Sequence, residues 1–206
     1  MTGTSDMRTA DFWFDPSCPY TWLTSRWLLE VAKVRPVEVR WHLMSLSVLN
    51  EGRDDDPEGD PEGYLWVPVR ICAAVRQEYG EDALARFYTA LWTNEGEGEQ
   101  DWLNDLQNSL EKAGLPKSLT DAGMNTAYDE AVRESHAEAI RLVGKHVGTP
   151  VIAVEGESGT RTAFFGPVIS QVPTGEAAAQ LWDGVLLVAA TPGFHELQAG
   201  ARGESP

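Results

Sequence analysis

The sequence predicts an α/β fold in which an all-helical insertion separates two strand-containing parts. Patterns of strand, helix and strand open the chain, only helical patterns follow over residues 66–147, and two strands and a helix close it. The order is therefore β-α-β, helices, β-β-α. We expect one unit over residues 1–206, in which residues 8–50 and 148–197 form the α/β part and residues 64–147 the insertion.

The opening part contains two strands around a helix. Phe12–Phe14 is a short apolar strand that ends at Asp15, and the helical spacing that follows runs to about Val34. Pro36 ends the helix. Apolar and polar residues then alternate over Val37–Leu43, which predicts a strand with one buried face. A β-α-β opening favours a parallel pair of strands with a right-handed crossover.

The middle of the chain begins with a loop and continues as helices. Residues 51–63 are rich in Asp, Glu, Gly and Pro, which predicts a solvated surface loop. Helical spacing of apolar residues then continues to Val147, with Asn125 as a candidate N-cap of a long last helix.

The closing part begins after residues 148–150. Val151–Val154 is an apolar run typical of a buried strand, Glu157–Gly159 predicts a turn, and Arg161–Phe165 returns as the hairpin partner. Thr174 is a candidate N-cap of a final helix that extends to Leu187 or beyond.

The charge of the chain excludes several kinds of partner. The formal net charge is −16, from 32 acidic and 16 basic residues, so phosphate backbones and anionic membrane surfaces are repelled. Neither a secretory signal nor an apolar run of the roughly 18 residues that a membrane span needs is found, so we expect a cytoplasmic protein. The excess of Arg over Lys is typical of GC-rich bacteria such as actinomycetes.

Cys18 lies where the first strand gives way to the first helix. Unpaired backbone N–H groups and the positive end of the helix dipole meet there and favour the thiolate, which is the nucleophilic form. Pro19 suits the first helical turn, and the hydroxyl of Thr21 is placed to donate a hydrogen bond to the thiolate. Tyr20 and Trp22 add aromatic surface. A buried, inert cysteine is the alternative.

Other candidate sites are weaker. Cys72, among Val69, Ile71 and Val75, is predicted to be a buried structural cysteine, and a distant resolving thiol is its alternative role. Two cysteines do not form a disulfide framework. The four histidines lack the spacing of a zinc site, and no Gly-rich phosphate loop follows the first strand, so we predict neither a metal nor a nucleotide cofactor.

The segment Asp11–Trp22 resembles the active-site segment of DsbA-like thioredoxin-fold proteins, and most of all that of the mycothiol-dependent reductases of actinobacteria. Residues 44–50 are also similar to that subgroup, and residues 148–152 resemble the thioredoxin-fold loop whose proline is cis and faces the reactive sulfur. The resemblance implies a thioredoxin fold and no tightly bound cofactor. It also implies a low-molecular-weight thiol, mycothiol or glutathione, as co-substrate and a small electrophile or disulfide as substrate.

The same resemblance suggests roles for further residues. Pro150 is expected to be cis, and Thr149 to pair its backbone groups with the bound thiol. Asn50 and, more weakly, Tyr64 resemble positions that contact the thiol cofactor, whereas a loop end and a packing residue are the alternatives. Asp15 either tunes Cys18 through its charge or caps a turn.

Thr21 departs from the redox family, which has a second cysteine at this position. Without a resolving thiol, a mixed disulfide on Cys18 needs a second small thiol for its release. We therefore expect single-cysteine thiol oxidoreductase chemistry.

Two other functions remain alternatives. Residues 18–22 also resemble the Ser-Pro-Tyr-Ser-Trp segment of kappa-class glutathione transferases and 2-hydroxychromene-2-carboxylate isomerases, in which a hydroxyl at the position of Cys18 activates glutathione. That resemblance implies an S-transferase or isomerase. A redox-silent binding protein is the third possibility, and the oligomeric state is left open, with a homodimer among the options.

Overall fold

The structure is a computed structural model. It describes residues 7–55, 57–93, 102–155, 159 and 161–198, without the side chains of residues 102 and 103, so most of the predicted turn at residues 157–159 lies outside the described residues. The strands are β1 (Arg8–Phe14), β2 (Val37–Leu43), β3 (Val151–Glu155) and β4 (Arg161–Phe165). The α-helices are α1 (Pro19–Ala32), α2 (Leu46–Leu49), α3 (Trp66–Tyr79), α4 (Glu81–Thr93), α5 (Trp102–Lys112), α6 (Asp129–Val143) and α7 (Gly175–Ala189).

The four strands form one sheet in the order β2-β1-β3-β4. Strand β3 is antiparallel to both neighbours, with Ile152 opposite Phe12 of β1 and Phe164 of β4. Arg8 N bonds to Pro36 O at one end of β1 and β2, and Met44 N bonds to Phe14 O at the other end. Residue numbers therefore increase in the same direction along the two strands. This pair is therefore parallel, as the β-α-β pattern predicts.

Contacts within the chain divide it into two compact units. The first comprises the residues up to Trp13, Cys18–His42 and the chain from Ile140 onward, and the second comprises Phe14–Ser17 and Leu43–Ala139. The first unit contains almost all of the sheet together with α1 and α7. The second contains α2 to α5 and most of α6.

In the first unit, α1 packs against α7. The indole N–H of Trp27 donates to Ala178 O at 3.0 Å, and the rings of Trp27 and Trp182 lie 5.9 Å apart. Arg35 pairs with Glu176 and Asp183 of α7 at the surface. The buried face of α1 begins with polar residues and becomes apolar toward its C-terminal end: Thr21, Thr24, Ser25, Trp27, Leu28 and Val31.

In the second unit, two stretches depart from the predicted α-helices. Lys117–Met124 is a 3₁₀-helix, which brings Gly123 against Val67 of α3. Asn125 accepts a hydrogen bond from Ala127 N and caps a short 3₁₀ turn, not α6 itself, which begins only at Asp129. The predicted cap was wrong because the chain makes an extra turn before the long helix starts.

None of the helices in the described part of the chain is both long and apolar enough to cross a bilayer. Within the same residues, no group of three or more His, Cys, Asp or Glu side chains is arranged to hold a metal ion.

Candidate functional site

Cys18 is the N-cap of α1 and is 8% exposed. Its backbone is extended, its carbonyl accepts the N–H of Trp22 at 3.1 Å, and Pro19 begins the helix. The side chain of Cys18 makes no capping bond to the helix. The sulfur thus occupies the helix start that the sequence predicts, without being tied to the first turn by a hydrogen bond.

The loop that faces Cys18 carries a cis peptide bond between Thr149 and Pro150, as predicted. Cys18 Sγ lies 4.0 Å from Thr149 O, in the geometry of a weak thiol hydrogen bond to a carbonyl. Thr149 is buried, at 5% exposure. Cys18 and the cis-proline loop at Thr149, which are 131 residues apart in sequence, therefore meet.

Thr21 contacts the same loop but through its hydroxyl. Thr21 is fully buried, and its Oγ1 lies 2.9 Å from Thr149 Oγ1 in a hydrogen bond. The predicted bond from Thr21 to the Cys18 thiolate is not the one that the structure contains. Thr21 points into the interior toward Thr149, so it joins α1 to the loop.

Aromatic surface flanks this loop contact. Tyr20 and Trp22 are half-buried on the first turn of α1, like Pro19. The guanidinium of Arg26 lies 3.9 Å from the ring centroid of Trp22, in cation–π geometry. Arg26 lies one helical turn after Trp22, so its guanidinium holds the Trp22 ring against the surface of α1.

Comparison with known proteins identifies the family of the chain. The model of the Rv2466c-like family, described as mycothiol-dependent nitroreductase Rv2466c, matches residues 17–199. The chain belongs to the Rv2466c-like family. The uncharacterized protein Rv2286c of Mycobacterium tuberculosis is 31% identical over 200 residues, which cover 93% of this chain and 82% of that protein.

Solved structures similar to this member of the Rv2466c-like family share its fold. A probable DsbA oxidoreductase from Streptomyces coelicolor gives a TM-score of 0.53 at 18% identity, covering 96% of this chain and 97% of that one. The cytosolic disulfide reductase DsbM from Pseudomonas aeruginosa gives 0.52 at 18% identity, covering 87% and 99%, and has also been solved with GSH. These similarities confirm the predicted thioredoxin-type α/β fold.

Asp15 lies three residues before Cys18, and its hydrogen bonds are made within the second unit. Its carboxylate is fully buried and accepts the backbone N–H groups of Ser17 and Leu46, both at 2.7 Å. Burial raises the pKa of Asp15 from 3.8 to about 7, although these two N–H groups act to lower it. Of the two roles predicted for Asp15, these contacts fit the capping of a turn.

Asn50 and Tyr64, the two residues predicted to contact the thiol, also belong to the second unit. Asn50 is half-buried at the C-terminal end of α2. Tyr64 is 61% exposed, and its backbone N–H donates to Asp60 at 2.7 Å. Their contact with a thiol remains a prediction.

Cys72 is fully buried on α3 and unpaired with another cysteine, as predicted. Burial, with a smaller effect of the Asp15 charge, raises the pKa of the Cys72 thiol well above its usual value. Such a thiol is a poor nucleophile. Its environment thus favours the structural role over that of a resolving thiol.

Sequence reasoning missed two features next to the site and one in the second unit. The Gly166–Pro167 bond is also cis, and Thr24 Oγ1 bonds to Pro167 O at 2.7 Å. The three-residue spacing of Thr21 and Thr24 on one helix face was the available signal. In the second unit, His136 Nδ1 accepts the N–H of Ser45 at 3.3 Å, and no local sequence pattern indicates that contact.

Proposed function

We propose that the protein is a cytoplasmic thiol-disulfide oxidoreductase that works through Cys18 alone, with a low-molecular-weight thiol as co-substrate. The observation that carries the proposal is the position of Cys18 Sγ at the start of α1, 4.0 Å from the carbonyl of Thr149 in a cis-prolyl loop. Membership in the Rv2466c-like family supports it.

The proposed reaction is a pair of disulfide exchanges. The Cys18 thiolate attacks one sulfur of a disulfide R–S–S–R′, forms Cys18–S–S–R and expels R′–S⁻, which takes up a proton. A second thiolate, from the small thiol R″–SH, then attacks the sulfur of R, forms R–S–S–R″ and returns the Cys18 thiolate. No other oxidant or reductant is needed, because each step breaks one S–S bond and forms another.

The residues around Cys18 have different parts in this proposal. Cys18, the N-cap of α1, supplies the attacking sulfur of the first step and the leaving group of the second. Thr149 and Pro150 form the platform on which the backbone-like part of the thiol rests. Tyr20 and Trp22 offer apolar surface beside it. Thr21 holds this platform through its hydrogen bond to Thr149. Because its side chain ends in a hydroxyl, it provides no second sulfur.

The identity of the small thiol is proposed from the relatives. The family model is described as mycothiol-dependent, and the structurally similar P. aeruginosa reductase DsbM has been solved with GSH. We propose mycothiol as the co-substrate, with glutathione as the alternative of the same chemistry, and a small electrophile or disulfide as the substrate.

Intact-mass measurement tests the proposal. The reduced protein is incubated with mycothiol disulfide and, separately, with glutathione disulfide, and is then treated with the matching thiol. We expect one mixed-disulfide adduct per chain, its reversal by the thiol, and the same result in Cys72→Ala, because Cys72 is buried with a raised pKa.

Cys18→Ser distinguishes the alternatives. It should take up no adduct and lose exchange activity, since a hydroxyl cannot form the disulfide. Retention of thiol transfer to an electrophile by Cys18→Ser would contradict the nucleophile role and support the kappa-like mechanism. Failure of the wild-type protein to form either adduct would support the redox-silent binding protein.

A further inference from the structure

Two cis-prolyl turns lie side by side at one end of the β3–β4 hairpin. Thr149–Pro150 leads into β3, and Gly166–Pro167 follows β4, where Phe165 is opposite Val151. The N–H of Gly166 donates to Pro150 O at 2.9 Å and joins the two turns directly. A displacement of the second turn is therefore transmitted to the first.

The second turn depends on the glycine. Gly166 has a φ of +86°, a conformation that residues with a side chain rarely adopt, and a Cβ built there would lie 2.9 Å from Val168 N. The turn that presents the Pro167 carbonyl therefore requires glycine at position 166.

Helix α1 is bonded to both turns by two threonines one helical turn apart. Thr21 bonds to Thr149 through the two hydroxyls, and Thr24 Oγ1 lies 2.7 Å from Pro167 O. Both threonines are fully buried. Thr24 Oγ1 also lies 3.0 Å from Tyr20 O, the usual acceptor for a threonine within a helix, so the Pro167 carbonyl is the additional contact.

We propose that Thr24 is a positioning residue for exchange at Cys18. The Thr24 hydroxyl holds the carbonyl of Pro167, and the neighbouring Gly166 N–H is bonded to the carbonyl of Pro150. Through these bonds Thr24 keeps the carbonyl of Thr149 at 4.0 Å from Cys18 Sγ. The inference rests on the proposed function, because it concerns the placement of a disulfide on the Thr149–Pro150 platform.

The effect of Thr24 should fall on substrate placement and leave the nucleophile unchanged. Thr24 has no hydrogen bond with Cys18, whose sulfur is placed by the start of α1. Loss of the hydroxyl leaves the carbonyl of the half-buried Pro167 without this donor and loosens the platform. Alkylation of Cys18 by iodoacetamide needs no platform, so its rate should not respond.

The test compares Thr24→Val with the wild-type protein in steady-state exchange. Bis(2-hydroxyethyl) disulfide is the substrate, and mycothiol and, in parallel, glutathione are the thiols. We expect KM for the disulfide to rise about five- to tenfold, with kcat and the iodoacetamide rate changed by less than about twofold. Thr24→Ser, which keeps the hydroxyl, should restore the wild-type KM.

Thr89→Val is the matched control. Thr89 Oγ1 makes the same kind of bond to the carbonyl four residues earlier, Ala85 O at 2.9 Å, but lies on α4 of the second unit. The same change there should leave KM unaltered. If Thr24→Val fails to fold, as judged by circular dichroism, Thr24→Ala removes the same hydroxyl without adding a methyl group.

The outcomes separate this inference from the function on which it rests. An unchanged KM in the folded Thr24 variant, or an equal rise in Thr89→Val, overturns the positioning role while wild-type exchange stands. A fall in the iodoacetamide rate that matches the fall in exchange also overturns it, because the thiol itself would then be affected. Absence of Cys18-dependent exchange in the wild-type protein overturns both proposals.

Discussion

Thr21 shows how one residue changes the chemistry that a site can perform. A cysteine at this position would supply a resolving thiol three residues after Cys18. Thr21 has a hydroxyl there instead, and that hydroxyl is hydrogen-bonded to Thr149 in the interior. In the proposed function, position 21 therefore provides no second sulfur, and the Thr21 hydroxyl instead joins α1 to the loop that faces Cys18.

Thr21→Cys should restore a two-cysteine cycle. The variant has the motif Cys-Pro-Tyr-Cys at a helix start, where such pairs form disulfides. We expect an intrachain disulfide after oxidation, seen as the loss of two hydrogens by intact mass, and release of a preformed Cys18 mixed disulfide without added thiol. The lost bond to Thr149 should lower the free energy of unfolding by about 1 kcal/mol.

Thr21→Ser is the control for that variant. It keeps a hydroxyl at the position and should release the mixed disulfide only when a small thiol is added, like the wild-type protein. Equal persistence of the mixed disulfide in Thr21→Cys and in Thr21→Ser would contradict the proposal that the lack of a sulfur at position 21 limits exchange to Cys18.

Residues whose structure depends on near neighbours could be predicted from the sequence. The position of Cys18 at the helix start follows from its short motif and is present. The cis form of Pro150 follows from the resemblance of residues 148–152 to the thioredoxin-fold loop, and it is present too. The partner of Thr21 could not be predicted, because it depends on Thr149, 128 residues away. The bond of His136 to Ser45 spans 91 residues and was missed for the same reason.

At the scale of elements, local patterns located the strands and helices but not every helix type. Alternation predicts β2, whose two faces differ in burial, and an apolar run predicts β3, which is buried on both faces. Strand β4 is predicted as the hairpin partner of β3. The 3₁₀-helix at Lys117–Met124 lies between predicted helices, in a region where the sequence predicts only helical structure. Its geometry is set by close packing of Gly123 on α3, and periodicity alone does not contain that contact.

Gly123→Ala should destabilise that packing. A Cβ at this position would lie 2.5 Å from Val67 Cγ1 and 3.3 Å from Val67 O. Val67 is buried and β-branched, so it cannot move aside freely. We expect the free energy of unfolding, measured by urea denaturation, to fall by about 1–3 kcal/mol.

Gly184→Ala is the matched change on α7. A Cβ there meets no heavy atom within 4 Å, and the helix interior favours alanine. The free energy of unfolding should rise by about 0.5–1 kcal/mol. A loss of stability in Gly184→Ala equal to that in Gly123→Ala would mean that the contact with Val67 does not limit the packing.

At the scale of the whole molecule, the pH dependence of stability depends on two buried groups with opposite behaviour. Burial lowers the pKa of His136 from 6.5 to about 4, and the Arg133 charge adds to this effect, whereas burial raises the pKa of Asp15 to about 7. Both lie in the second unit. Folding keeps a proton on Asp15 and removes one from His136 over much of the same pH range.

The signs of the two contributions follow from proton linkage. The Asp15 contribution to stability is complete below pH 3.8 and is lost as the pH rises to about 7. The His136 contribution is complete above pH 6.5 and is lost as the pH falls to about 4. Each slope is at most about 1.4 kcal/mol per pH unit, and the two oppose each other across the same window.

Variants that remove one group should therefore expose the other. Between pH 4 and 6.5, the free energy of unfolding of Asp15→Asn should increase with pH relative to the wild-type protein, and that of His136→Asn should decrease. Asn at position 136 keeps an acceptor for the N–H of Ser45. The pH dependence of the free energy of unfolding should therefore change more than its value at any one pH. Urea denaturation across this range measures both. The changing charge of the many surface carboxylates is common to all variants and cancels in the differences, so parallel curves for the two variants would show that neither group titrates as its burial requires.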